Sequence, residues 1–151
     1  ELKKVSRCPQ CFFIKSGGHL CLICGNPRRD KKIIAIVEKE TDLISIEKTG
    51  KFNGHYLVLG ELSEAGALTS GQKLRLLHLK NKIKNEPDGK AKEILVALSP
   101  TSLGDITYHL IRKEFENFAE KITRLGRGIP TGGEIEFADE ETLRNALERR
   151  V

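Results

Sequence analysis

At 151 residues the chain is close to the usual size of a single domain, long enough to enclose one hydrophobic core with room for a small accessory module. It is 38% hydrophobic and 31% charged, and no apolar run approaches the roughly 20 residues that cross a bilayer, which excludes a helical membrane span and leads us to expect a soluble protein. Lys and Arg number 26 against 21 Asp and Glu, a formal charge of +5 that permits nucleic-acid binding without establishing it. The first residues, Glu1 to Val5, carry neither a secretory signal nor an initiator Met, so the chain is expected to begin inside a longer protein.

In chain order the first feature is a cluster of cysteines: Cys8-Pro9-Gln10-Cys11, nine residues, then Cys21-Leu22-Ile23-Cys24. Each CxxC pair lets both thiolates of one tight turn face a common ion, and two such turns complete the tetrahedral sulfur shell that Zn²⁺ accepts. No cysteine follows in the remaining residues, which argues against a disulfide framework. Four thiolates leave no open coordination position, so the expected Zn²⁺ is structural and not catalytic. His19 stands next but one to Cys21 and reads as a surface residue. Arg7, Lys15, Arg28, Arg29, Lys31 and Lys32 surround the knuckles and either meet phosphates or solubilise a small finger.

The β-branched run Lys31–Glu38 reads as a strand buried on both faces. A short helix is expected over Thr41–Lys48, with Thr41 as N-cap, followed by a strand over His55–Gly60. After a Gly- and Ser-rich loop, Gln72–Lys84 reads as a helix whose apolar stripe is Leu74, Leu77 and Ile83. A Pro-Asp-Gly turn precedes a third strand, Glu93–Leu98. A long helix is expected from about Gly104 to Ala119, carrying Tyr108, Ile111, Phe115 and Phe118, then a fourth strand over 121–125 and a closing helix over 142–150 with Leu143, Ala146 and Leu147 inward. The alternation of strand and helix predicts an α/β fold: a zinc module over residues 1–30, a mostly parallel sheet flanked by helices over 31–125, and a C-terminal segment over 126–151.

Sites in open parallel sheets gather at the carboxyl ends of strands. Glu38 closes the first strand, Asp42 follows it, and Asp105 follows the third. Glu38 and Asp105 could together hold Mg²⁺ beside a phosphate; equally, Asp105 could cap the long helix and Glu38 be a simple polar strand end. Gly126-Arg127-Gly128-Ile129-Pro130-Thr131-Gly132-Gly133 lacks the Lys and hydroxyl ending of a phosphate-binding loop, and its glycines read first as tight turns. Arg124 and Arg127 nevertheless place two guanidinium groups in a flexible loop suited to phosphate or partner contact.

In order along the chain, the finger of Cys8, Cys11, Cys21 and Cys24, Ile36-Val37-Glu38 with Asp42-Leu43, Glu47-Lys48-Thr49-Gly50, Gly54–Gly60, Ser99-Pro100-Thr101 and Arg127–Asp139 resemble the RecR family over nearly the whole length. The resemblance implies a Toprim domain behind a zinc finger in a non-enzymatic DNA-repair scaffold of the bacterial cytoplasm and nucleoid. It implies dimers and ring-like tetramers, work with RecO and RecF, and loading of recombinase onto gapped DNA. Glu38 matches the lone Toprim glutamate, and the stretch from Ile135 to Asp139, with Glu136 and Asp139, matches a Walker-B-like segment that without a phosphate-binding loop makes no ATPase. Nothing before Arg7 supplies the family's N-terminal helix-hairpin-helix segment, and Leu103-Gly104-Asp105 stands where the family often has Glu-Gly-Glu. The missing carboxylate weakens any Mg²⁺ site. The finger is expected to be separable, so that loss of one sulfur unfolds it and leaves the sheet largely intact. Two rival readings are a Mg²⁺-dependent Toprim nuclease or primase-like enzyme built on Glu38 and Asp105, and a plain zinc-ribbon interaction protein, which leaves the segment from Arg124 to Asp139 without a role.

Overall fold

A computed structural model describes residues 4–151. The finger contributes an antiparallel ribbon that the sequence reading did not anticipate, β1 (Val5–Arg7) paired with β2 (Ile14–Ser16). There follow β3 (Asp30–Val37), α1 (Glu40–Lys48), β4 (Gly54–Val58), α2 (Ser70–Lys84), β5 (Ala91–Ala97), α3 (Ser102–Phe115), β6 (Ala119–Arg124) and α4 (Glu140–Glu148). The main sheet is parallel throughout, in the order β4-β3-β5-β6. Its strand order reverses between β3 and β5, whose carboxyl ends therefore flank the crevice in which such sheets place their sites.

Period-two alternation assigns each strand residue to a layer. Ile34, Ile36, Leu57, Ile94 and Val96 face one way and pack with Leu76, Leu79 and Ile83 of α2 and Tyr108, Ile111 and Phe115 of α3. Ala35, Val37, Tyr56, Val58 and Ala97 face the other way and pack with Leu43 of α1 and with all four cysteines. The central strands are thus covered on both sides, as the continuous apolar run in β3 requires.

The finger is consequently not a detached module. Cys11 Cα lies beside the sheet edge closely enough for its carbonyl oxygen to accept from the Val58 amide at 2.8 Å. Arg75 of α2 donates to the Val58 carbonyl at 2.8 Å and stacks over the Phe12 ring, its Cζ 4.8 Å from the centroid. These contacts close the end of an edge strand whose backbone groups would otherwise be open to pairing. Phe12, in the left-handed region at φ 65°, is held there by Arg75 on one side and His78 edge-on at 5.5 Å.

Several boundaries and faces differ from the sequence reading. Helix α1 begins before Thr41, because Asp42 reaches back to accept from the Lys39 amide at 3.1 Å and fixes Lys39 in the capping position. In α2 the buried stripe is Gln72, Leu76, Leu79 and Ile83, while Leu74 and Leu77 are exposed. Thr69 opens that helix with a reciprocal pair of hydrogen bonds to Gln72, and the Gln72 amide also donates to the Gly60 and Glu61 carbonyls, so a polar residue occupies the inward face. Helix α3 ends at Phe115 and Ala119 already belongs to β6, with Phe118 folding back edge-on to Phe115. In α4 Leu147 is exposed while Leu143 and Ala146 are half-buried.

Candidate functional site

The four cysteines form the first site. Tight turns place them: the Phe12 amide donates to the Cys8 carbonyl at 2.9 Å and the Gly25 amide to the Cys21 carbonyl at 2.9 Å. All four are buried and their sulfurs lie within 4.8 Å of one another, with Cys11 and Cys21 Sγ 3.6 Å apart. Backbone amides of Cys21 and Cys24 point at the Sγ of Cys8 and Cys21 at 3.5 and 3.4 Å. Burial acts to raise the Cys8 thiol, but amides from Cys21, Cys11 and Gln10 outweigh it and bring its pKa down to about 7. The Cys24 sulfur and burial push Cys11 far up, and burial raises Cys21. Four clustered soft donors with amides directed at their sulfurs fit a thiophilic ion, and among the described residues this is the one group of three or more ligand-type side chains close enough to share a metal.

The second site lies at the carboxyl ends of β5 and β6. Thr101 caps α3, its Oγ1 accepting from the Gly104 amide at 3.0 Å, so Asp105 is not the cap. Gly104 is required for the approach: a Cβ there would sit 2.1 Å from the Ser99 carbonyl oxygen. Freed from capping, Asp105 accepts from Arg124 Nη1 at 3.0 Å and from Arg127 through both nitrogens, the Nη1 contact at 3.4 Å. The Arg127 hydrogen bond holds the Asp105 carboxyl below the usual carboxylate range, with the charges of Arg127 and Arg124 adding to it. The Arg124 guanidinium also lies over the Tyr108 ring, 4.6 Å from its centroid. The two arginines are therefore anchored, not loose in a flexible loop. Beside them is a cavity of about 290 Å³ with mainly apolar walls.

The remaining predicted residues are dispersed. Glu38 accepts from the Leu62 amide at 3.2 Å, and Asp42 serves the start of α1 while lining the cavity. Glu38, Asp42 and Asp105 do not gather their oxygens into a common cluster. Arg29 forms a fork with Glu47, donates to the Gly54 carbonyl at 3.1 Å, and has a side chain only 14% exposed; Arg28 is exposed and makes no ion pair among the described residues. Glu136 sits in an exposed single turn over Ile135–Phe137. Asp139 caps α4, accepting from the Thr142 amide at 2.7 Å.

Two participants were not among the candidate site residues, although Glu47 stands in one of the motifs that carry the family resemblance. Tyr108 reads as one more member of an apolar stripe, yet its ring carries the Arg124 guanidinium; sixteen residues separate them and no spacing rule connects them. Glu47 holds Arg29 and accepts from the Tyr56 hydroxyl at 2.6 Å. A charged residue four places past Leu43, on the inward side of a short helix, was the available signal.

The chain is similar to known proteins along nearly its whole length. A family model described as the Toprim domain matches residues 32–126, and one described as RecR, C-terminal, matches residues 128–151. The chain is 40% identical over 148 residues to the recombination protein RecR of Syntrophomonas wolfei, covering 98% of the chain and 73% of that protein. It is 36% identical over 149 residues to the recombination protein RecR of Roseiflexus sp. strain RS-1, covering 98% and 70%, and 36% identical to that of Frankia casuarinae, covering 98% and 72%. With a Toprim domain, a RecR C-terminal segment and such relatives along nearly its whole length, the chain belongs to the RecR family.

Proposed function

We propose that the chain is a DNA-repair and recombination mediator scaffold that acts with RecO and RecF on gapped DNA to promote recombinase loading, as a homo-oligomer. The observation that carries the non-enzymatic part is the pairing of Asp105 with Arg124 and Arg127. A divalent cation needs the free negative field of several carboxylates, and here the carboxylate after the third strand of the Toprim sheet is already neutralised by two guanidinium groups. The relatives' name, recombination protein, supports the broader role. Exposed Arg28 and the excess of basic residues supply a phosphate-binding surface.

Cys8, Cys11, Cys21 and Cys24 would hold Zn²⁺. Bound there, the ion supplies a closed tetrahedral shell that ties the finger together and offers no position to substrate. The chain's own contribution is the set of amides aimed at the sulfurs and the apolar packing around them.

The test is a reconstituted exchange reaction. Gapped DNA coated with single-strand-binding protein is mixed with recombinase and RecO, with and without this chain. Faster recombinase filament formation only when the chain and RecO are both present is expected; an unchanged rate contradicts the mediator reading.

A further inference from the structure

Beside Asp105 the two arginines do more than neutralise a carboxylate. Arg124 is held over the Tyr108 ring by the cation–π contact at 4.6 Å and pinned by Asp105 at 3.0 Å. Its guanidinium is thus fixed in advance by two partners one turn apart on α3. Arg124, Tyr108 and Asp105 all line the cavity of about 290 Å³, along with Ile46, Val96 and Leu98. That volume is at the small end of ligand sites, which begin at about 300 Å³, so it takes one ring system and not a chain of them. Arg124 and Arg127 are balanced by Asp105 and Asp42 on the lining, so the cavity wall carries no formal net charge and would hold a ligand by stacking and individual contacts, not by bulk attraction. Arg127, whose side chain is only 15% exposed, stands where the cavity meets a second, more polar depression lined also by Gly126, Asn145 and the carboxylates Asp139 and Glu141.

A fixed guanidinium plane, apolar walls sized for one ring and a second guanidinium at the mouth are the parts that recognise an aromatic base carrying a phosphate. We propose that this cavity receives a single unpaired base of single-stranded DNA, stacked on the Arg124 guanidinium, with its phosphate at Arg127. The site deepens the DNA-binding reading, on which it rests. It would let the scaffold sense the unpaired strand of a gap and not only the charge of the backbone.

The test follows backbone and side-chain NMR shifts of the metal-loaded chain on addition of thymidine 5′-monophosphate, with deoxyribose 5-phosphate as the baseless control. The expected result is perturbation of Ala97, Tyr108 and Arg124 by the nucleotide only. Ser45→Trp, at an exposed position on the rim, closes the cavity without touching the core and should abolish those shifts. In parallel, an oligothymidylate should bind about tenfold more tightly than an abasic strand of equal length, and Arg124→Lys, which keeps the charge but not the plane, should erase the difference. Equal shifts from both small molecules, or no shifts in the cavity, overturn the proposal. Gapped-duplex binding in the same samples separates the two readings. Duplex binding without cavity shifts leaves the DNA-binding scaffold standing and removes the base site. Cavity shifts without duplex binding leave the base site and remove the scaffold reading.

Discussion

The backbone amide of Val58 donates to the carbonyl of Cys11 at 2.8 Å, so the last residue of an edge strand and a cysteine of the finger share one hydrogen bond. The four sulfurs pack in the same cluster as Val37, Leu43 and Tyr56, so the finger and one face of the sheet share one packed core. Cys11→Ser, or removal of the metal by a chelator, is therefore expected to destabilise the chain by more than about 4 kcal/mol. Hydrogen exchange is the measurement: protection should fall in Tyr56 to Val58 as well as in the finger. Full protection of β4 with an unfolded finger would mean that the two fold separately after all.

Arg28 and Arg29 are neighbours with different tasks. Arg29 is committed to Glu47, whose carboxyl lies below its usual range because hydrogen bonds from Arg29 and Tyr56 outweigh the opposing effect of burial. Glu47→Gln is expected to cost about 2–4 kcal/mol by leaving a half-buried guanidinium without its partner, and Tyr56→Phe about 1 kcal/mol. Arg28→Ala should leave the melting temperature unchanged and reduce the slope of log affinity for DNA against log salt by about one. Denaturant titrations and salt series on the three variants check this; a shallower salt slope for Glu47→Gln with unchanged stability would contradict the assignment.

Buried His55 makes stability pH-dependent. Burial, with the nearby charges of Lys82 and Arg29, lowers its pKa from 6.5 to about 4, and the Lys82 ammonium lies 3.4 Å from Nδ1, where only a neutral ring can accept. The unfolded chain binds the proton below pH 6.5 and the folded chain resists it until about pH 4. The contribution is thus fully present above pH 6.5 and is lost as pH falls toward 4, on the order of 3 kcal/mol in all. His55→Gln is expected to flatten the stability curve between these values. An unaltered slope would show that other groups govern it.

Asp105→Asn removes the charge between Arg124 and Arg127. Because the side chain is about one-third exposed, the stability loss should be about 1 kcal/mol or less. Two released guanidinium groups should instead strengthen binding to fully duplex DNA at low salt by about 2- to 5-fold, with a steeper salt dependence, while loss of the contact that pins Arg124 should reduce the preference for an oligothymidylate over an abasic strand. Titrations with duplex across a salt series decide; weaker duplex binding would contradict the charge-release prediction.

Much of this was legible in the chain. The CxxC spacing marks the metal centre because tight turns are local, and the apolar runs at Ile34–Val37 and Ile94–Ala97 mark the central strands because burial on both faces suppresses alternation. The stripe of α2 was misread because Gln72 pays its desolvation with carbonyl partners at Gly60 and Glu61, which no periodicity reveals, leaving Leu74 and Leu77 outside. The role of Asp105 was hidden for a similar reason. Whether an acid after a strand caps a helix, holds a metal or meets arginines depends on side chains nineteen and twenty-two residues away, brought near only by the β5–β6 pairing.

The pairing of Asp105 with Arg124 and Arg127 supports a scaffold, not a nuclease, on the Toprim sheet. The most direct measurement incubates the metal-loaded chain with end-labelled gapped DNA and Mg²⁺, with Glu38→Ala as control, and reads strand cleavage and mobility shift from the same samples. A shifted but intact DNA is expected for both proteins; cleavage that disappears in Glu38→Ala would make the chain a Toprim nuclease and rule out the scaffold reading.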